Sequence, residues 1–401
     1  MTFPAYPEYK DSGVEWVGKV PTAWKVRSLK HLTKLKTEKA SSKSFSIALE
    51  NIESWSGRFI ETNSEFEGDG IKFSKDNILF GKLRPYLAKV YLTECEGEAV
   101  GDLYVLQPTS EANPRYFQYR LLTREFIDVI DGSTYGSKMP RASWDFMGNM
   151  KFPIPSKIEQ ESIVYFLDHE TSKIDSLIAE QKQLIEFLNE KRQSVISNAV
   201  CRGLNPNVPM KDSGVEWLGM VPSHWSVEPL KNLISIQNGA DYKHIESTEG
   251  YPVVGSGGKF TFASEFMHNG ESVLLGRKGT IDKPLYLNEP FWAVDTMYWS
   301  KILPKGFAKF VYYSALTIPF NLYSTNTALP SMTKSVLGSH KVTCPSLNEQ
   351  IQIANYLDTQ TQAIDDLIEE QEKLNILLNE RRSALISAAV CGQIDVRSFQ
   401  S

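Results

Sequence analysis

The sequence predicts an α+β protein: two modules of mixed sheet joined by two long coiled-coil-like helices, arranged as an internal tandem repeat. Three observations carry this. Residues 157–201 and 347–391 match at 22 of 45 positions without a gap, at an offset of 190. Residues 10–32 and 211–233 match at 15 of 23, at an offset of 201. The stretches between them, roughly 33–156 and 234–346, match poorly and differ in length by 11 residues. A repeat at this distance means two copies of a whole module. Constant ends around two divergent middles suggest one scaffold presenting two different recognition surfaces.

Each half opens on a head. Lys10-Asp11-Ser12-Gly13-Val14-Glu15-Trp16 returns as Lys211-Asp212-Ser213-Gly214-Val215-Glu216-Trp217, followed by Pro21/Pro222 and Trp24/Trp225. Its Trp, Pro and Gly content predicts an irregular segment pinned by aromatic anchors, with a packing role. In the first middle, short β-prone runs stand at 46–50, 77–80, 89–92 and 103–106, and residues 115–130 read as a helix after Asn113-Pro114. In the second, the runs are 251–254, 272–275, 284–287 and 297–299, with a helix over 308–316. Both middles end alike, Met139-Pro140 matching Leu329-Pro330 and Pro155-Ser156 matching Pro345-Ser346.

The long repeats then follow. Apolar residues recur there at alternating steps of three and four: Ile174, Leu177, Leu184 and Leu188 in one copy, Ile364, Leu367, Leu374 and Leu378 in the other. That is a coiled-coil seam. Gln181 and Gln371 occupy one seam slot, where a paired polar residue sets register. From Thr171 to Ala199 the rise is about 44 Å. Two such helices in one chain most simply pair with each other as a rigid spacer.

The 401 residues carry a net charge of −5, which on its face argues against a nucleic-acid partner. The two long repeats themselves carry −3 and −5, however, so the remainder carries +3. The acidity belongs to the helices and leaves room for a basic surface on the modules. Cations cluster just after candidate strands. Lys82, Arg84 and Lys89, with Tyr86, lie within Phe80–Lys89, and Arg277 and Lys278 follow Gly276, with Lys283 further on. Lys138 and Arg141 fall in the run from Tyr135, and Lys334 follows Ser331-Met332-Thr333, both ahead of the long helices. Arginine and lysine suit phosphates, and arginine also suits guanine edges through its fork of donors.

Motifs for chemistry are missing. The chain has no Walker loop, no H-E-x-x-H and no G-x-S-x-G, and its six histidines are scattered. The glycines of 255–258 open no helix and predict a turn. The four cysteines show no CxxC spacing, and Cys201 and Cys391 fall at equivalent helix ends, as small packed residues would. No metal is expected, and catalysis by this chain alone is not expected. With no apolar leader and no run of about 18 apolar residues, a cytoplasmic place is expected.

Taken together, the Glu159-Gln160, Leu167-Asp168 and Ile174-Asp175 run after Pro155, its copy after Pro345, and the two heads resemble the specificity subunit of type I restriction-modification systems. Within the modules, 77–90 and 273–299 resemble that family's target-recognition segments. The resemblance covers nearly the whole chain. It implies two α/β target-recognition domains, at 1–156 and 204–346. Antiparallel helices at 157–203 and 347–401 would separate them with pseudo-twofold symmetry. Each domain would read one half of a split, asymmetric double-stranded DNA site. Two methyltransferase subunits would dock on the helices and heads, and restriction subunits would join them. S-adenosylmethionine, ATP and Mg are then expected on those partners and none of them on this chain. Lys82, Arg84, Lys89, Lys138 and Arg141, with Tyr86, are expected to line one DNA surface. Arg277, Lys278 and Lys334, with Lys283, are expected to line the other. The alternative is a coiled-coil adaptor presenting two modules to protein ligands, for which salt-dependent DNA binding would be absent.

Overall fold

A computed structural model of the chain describes residues 3–40, 45–62, 70–134, 138–323 and 331–399. The match between Leu329-Pro330 and Met139-Pro140, and the start of the run from Tyr135, lie outside the described residues on at least one side. The chain forms two compact units. Unit 1 is Met1–Gln181 with Lys373–Ser401, and unit 2 is Lys182–Glu372. The long helices Lys157–Arg202 and Leu347–Val390 each contribute one half to either unit.

In unit 1 the central sheet runs Thr33–Lys36, Leu103–Pro108, Ile78–Gly81, Val90–Leu92, antiparallel throughout. A second, three-stranded sheet places Gly97–Ala99 between Ser46–Ile47, parallel to it, and Ile71–Phe73. Unit 2 repeats the plan. Its central sheet is Ile234–Asn238, Met297–Ile302, Glu271–Gly276, Leu285–Asn288, again antiparallel. Its second sheet pairs Trp292–Ala293 in parallel with Tyr251–Gly255. The differences lie here: Tyr251–Gly255 turns at Ser256-Gly257 into Gly258–Ala263, a strand the sequence reading missed, whereas Ser46–Ile47 runs into the 3-10 turn Leu49–Asn51. The helix expected over 115–130 is two helices, Pro114–Leu121 and Arg124–Gly132. Thr123 separates them, its hydroxyl donating back to the Arg120 carbonyl at 2.9 Å. That local bond competes with helix continuation.

The heads are more ordered than expected. Tyr9–Asp11 pairs with Lys19–Pro21, and Met210–Asp212 with Met220–Pro222. Their tryptophans are anchors, as expected. Trp24 Nε1 donates to Glu159 at 2.9 Å and Trp225 Nε1 to Glu349 at 3.1 Å. Apolar burial does the rest: Trp24, Phe80, Phe117, Phe126, Phe152 and Phe166 form one continuous core in unit 1.

The repeated helix motif is a set of ties, each made inside one unit. Gln160 Oε1 accepts from the Asn113 backbone N–H at 2.7 Å, and Gln350 Oε1 from Phe307 at 2.8 Å, docking the helix that follows in each module. Asp168 accepts from the Tyr119 hydroxyl and from Arg115; Asp358 accepts from Tyr313 and pairs with Lys309. Asp175 pairs with Arg382 at 3.0 Å, and Asp365 with Arg192 at 2.7 Å. In unit 1 Ile386 and Val390 share the core of Ile163 and Leu167, and in unit 2 Ile196 and Val200 share that of Ile353 and Leu357. Together with the ion pairs, this makes the two helix segments of each unit antiparallel.

The seam corrects the expected register. Ile174, Ile364 and Leu378 are buried and Leu188 is half-buried, but Leu177, Leu184, Leu367 and Leu374 are 38–45% exposed. The inward slots fall instead on Thr171, Ile174, Ile178, Gln181, Ile185 and Leu188, with Arg192 and Ile196 beyond. A helix covered on one side buries only a narrow stripe, and here the polar ties, not the largest apolar side chains, choose which stripe faces inward.

Candidate nucleic-acid interface

The two basic clusters sit at the same place in the two units. In unit 1 the strand Ile78–Gly81 runs out into Lys82, whose N–H donates to the Asp102 carbonyl at 2.9 Å and whose carbonyl accepts from Ala142 N–H at 2.8 Å. In unit 2 Glu271–Gly276 runs out into Arg277, whose N–H donates to Thr296 at 2.9 Å and whose carbonyl accepts from Met332 N–H at 2.9 Å. Lys82 and Arg277 are thus structural equivalents. Close approach requires the glycine at 276, where a Cβ would stand 2.5 Å from the Thr280 carbonyl, while one on Gly81 would press on the Leu49 side chain at 2.9 Å.

A tyrosine underlies each cation. Lys82 Nζ lies 5.5 Å from the Tyr104 ring centre and the Arg277 guanidinium 5.9 Å from that of Tyr298. Tyr104 donates its hydroxyl to the Ala142 carbonyl at 2.9 Å, and Tyr298 to that of Met332 at 3.3 Å. The pair was missed in the sequence. It becomes visible only when the strands are aligned on Gly81 and Gly276, because Tyr104 faces Phe80 and Tyr298 faces Leu275 across the sheet.

The remaining expected residues are distributed unevenly. Arg141 grips Asp102 with Nε and Nη2 at 3.2 and 3.0 Å, and Lys82 Nζ stands 3.8 Å from the same carboxylate. The hydrogen bonds to Asp102 hold the Arg141 guanidinium above its ordinary value. One carboxylate therefore gathers two cations and leaves a net positive charge. Arg84 is exposed in a left-handed conformation (φ 50°), with its N–H on the Pro140 carbonyl at 2.8 Å, and begins the turn that presents Tyr86 to solvent. Lys138 is exposed just before Pro140. Lys89 is a correction: it is half-buried and its ammonium donates inward to the Leu49 carbonyl at 2.6 Å, tying two elements of the module together.

In unit 2 Lys278 is exposed and bridges to Ser331, and Lys334 is exposed on the first turn of the short helix Lys334–Ser339, whose N-cap is Thr333. Lys283 is exposed on the loop leading into Leu285–Asn288, away from this bridge in sequence. Each unit thus presents a strand-end loop of cations stitched to the segment that precedes the long helix. Such loops can hold phosphates at fixed register, and the exposed Arg84 can turn its fork of donors to a base edge. Among the described residues, no group of three or more His, Cys, Asp or Glu is placed to hold a metal ion, and no helix is long and apolar enough to cross a membrane.

Comparison with known proteins agrees with this plan. The family model of the type I restriction modification DNA specificity domain matches residues 21–186 and again 222–377. The type I restriction enzyme MjaVIII specificity subunit of Methanocaldococcus jannaschii is 23% identical over 319 residues, 71% of this chain and 71% of that one. A structure solved in work on complex assembly and conformational transition of the type I R-M system superposes with a TM-score of 0.73 at 15% identity, covering 92% of this chain and 98% of that chain. The HsdS subunit from Thermoanaerobacter tengcongensis superposes at 0.50 with 16% identity, covering 94% and 98%. At these identities the superpositions show the fold. The family rests on the doubled domain, matched across most of the sequence: the chain belongs to the type I restriction-modification DNA specificity family.

Proposed function

We propose that this chain is the non-catalytic specificity subunit of a cytoplasmic type I restriction-modification complex, in which each unit reads one half of a split, asymmetric site in double-stranded DNA. The observation that carries the reading is the glycine–cation–tyrosine arrangement at Gly81, Lys82 and Tyr104, repeated at Gly276, Arg277 and Tyr298. A packing device has no need of a cation at both places, held over a tyrosine and still partly open to solvent. Lys82, Arg84, Lys138 and Arg141, with Tyr86, form the first surface. Arg277, Lys278 and Lys334, with Lys283 at its edge, form the second. The long helices and heads recruit two methyltransferase subunits, and restriction subunits complete the assembly. S-adenosylmethionine, ATP and Mg act on those partners. The residues of this chain bind and orient DNA, and proton or methyl transfer belongs elsewhere.

The test is DNA binding by the full chain with its methyltransferase, across a salt series. Each lost phosphate contact lowers the slope of log affinity against log salt by about one. Arg84→Ala and Arg277→Ala should each weaken binding about fivefold or more and lower that slope. Unchanged affinity and slope in both would overturn this mapping. Salt-independent behaviour of the unaltered complex would favour a protein-binding adaptor instead.

A further inference from the structure

The hairpin Tyr251–Gly255/Gly258–Ala263 of unit 2 has no counterpart among the described residues of unit 1, where the equivalent strand runs directly into Leu49–Asn51. Its inner face is core, with Val253, Val254 and Ala263 buried. Its outer face is open to solvent: Phe260, edge-on to Tyr242 at 5.4 Å, is 56% exposed, and Phe262 and nearby Phe266, the latter against Tyr251, are each 45% exposed. Its tip, Gly255-Ser256-Gly257-Gly258, is the slimmest four-residue stretch in the chain.

The tip is fastened to the basic loop by one short segment. Val294 N–H donates to the Val254 carbonyl at 3.0 Å, while the Thr296 carbonyl accepts from Arg277 N–H at 2.9 Å and the Asp295 carbonyl from Arg277 Nη1 at 3.3 Å. From the other side, the Ser256 hydroxyl lies 3.6 Å from where Gly279 would carry a Cβ. Tip and loop therefore form one contiguous edge, and the exposed rings belong to the strand that leaves the tip. Lys259 adds a further cation beside Phe260, although Glu289 pairs with it at 2.5 Å.

On the reading proposed above, which this step rests on, we infer that the hairpin is a second base-reading element of unit 2, laid in the major groove beside the Arg277 loop with Phe260 against a thymine methyl group. The major groove, about 12 Å wide, admits a two-stranded ribbon, and thymine alone presents a methyl group there. A glycine-rich tip lets the ribbon backbone approach the base edges, and Ser256 brings a hydroxyl that donates or accepts. The Arg277 and Lys278 loop holds the adjoining phosphates. Unit 1 shows no such ribbon among its described residues.

The experiment uses the full chain with its methyltransferase, on duplexes carrying its own methylated motif, with each thymine replaced in turn by uracil. In the half-site weakened by Arg277→Ala, one thymine-to-uracil change should cost about fourfold, the weight of one buried methyl group. Phe260→Ser, at an exposed position, should abolish that sensitivity. Gly257→Asp provides a variant that the fold tolerates, because a Cβ there meets nothing within 4 Å. It should weaken the same half-site about tenfold, and changes in the other half-site should cost it the same as before. If no thymine in that half-site responds, or Phe260→Ser responds as the parent does, while Arg277→Ala still weakens binding, the hairpin is no reading element and the wider proposal stands. If Arg277→Ala changes neither affinity nor salt slope, the wider proposal falls and this one with it.

Discussion

Arg192 and Arg382 occupy one slot of the repeated helix motif, yet they are not equivalent in energy. Arg382 is buried, pairs with Asp175 and donates to the carbonyls of Trp55 and Ser56 at 3.3 and 3.1 Å. Its removal leaves two carbonyls short of a partner in unit 1. Arg192 pairs with the half-exposed Asp365 and lies beside the Tyr312 hydroxyl, where solvent screens the ion pair. Arg382→Ala should therefore destabilise unit 1 by about 2–4 kcal/mol, and Arg192→Ala should cost unit 2 about 1 kcal/mol or less. Urea unfolding of the two variants checks this, and equal losses would refute the asymmetry. The Arg-to-Asp pairing was not legible in the sequence, where only the identity at the 190-residue offset could be seen. Lys89 shows the same limit, because a lysine in a basic run has the same letter whether it faces solvent or a backbone carbonyl.

At the scale of elements, the junction before the second long helix carries a titrating group. His340 is almost fully buried, stacked on Trp217 at 5.0 Å and within 3.0 Å of the Tyr323 hydroxyl. Burial pushes its imidazole down to about 4. Between its ordinary value near 6.5 and about 4, the unfolded chain takes up a proton that the folded chain refuses, so stability falls as pH drops through that window. Glu349 acts lower. Partial burial works to raise its carboxyl, but hydrogen bonds from His224, Ser346 and Trp225 outweigh this and hold it at about 2. Its contribution is present above its ordinary value near 4.5 and is lost as pH falls from there towards 2. Unfolding of unit 2 measured at pH 7 and pH 5 thus separates His340 from the Glu349 carboxyl. His340→Phe should flatten the difference between those two pH values, and an undiminished difference would show that another group carries it. The element types themselves were mostly legible: strand and helix runs in both modules fall where alternation and Asn113-Pro114 place them. The exceptions include the break at Thr123, the 3-10 turn Leu49–Asn51 inside the run 46–50, and strands not expected at all, among them Thr33–Lys36, Gly97–Ala99, Ile234–Asn238 and Gly258–Ala263, the last a short exposed aromatic run that resembles neither a core strand nor a loop.

At the scale of the whole molecule, the chain is one plan written twice, with each long helix shared between the two units. On the proposed function, helix length then sets the distance between DNA half-sites. Four residues inserted after Gln181 and four at the matching point before Lys373 add about 6 Å, close to two base pairs. Methylome sequencing of a strain carrying that variant should show the same half-sites with a gap longer by about one or two base pairs, and an unchanged gap would remove the ruler. The sequence by itself determined the duplication, the two divergent modules, the long helices and the basic runs. Identity at fixed offsets and apolar periodicity are properties of the chain alone, and they survive without any knowledge of what touches what. Tertiary structure decided which stripe of each helix faces inward, that Asp102 gathers Lys82 and Arg141, and that Tyr104 and Tyr298 lie beneath equivalent cations. Those depend on residues tens to hundreds of positions apart meeting in space. Packing and hydrogen-bond satisfaction, not local pattern, choose among the registers that the sequence leaves equally open.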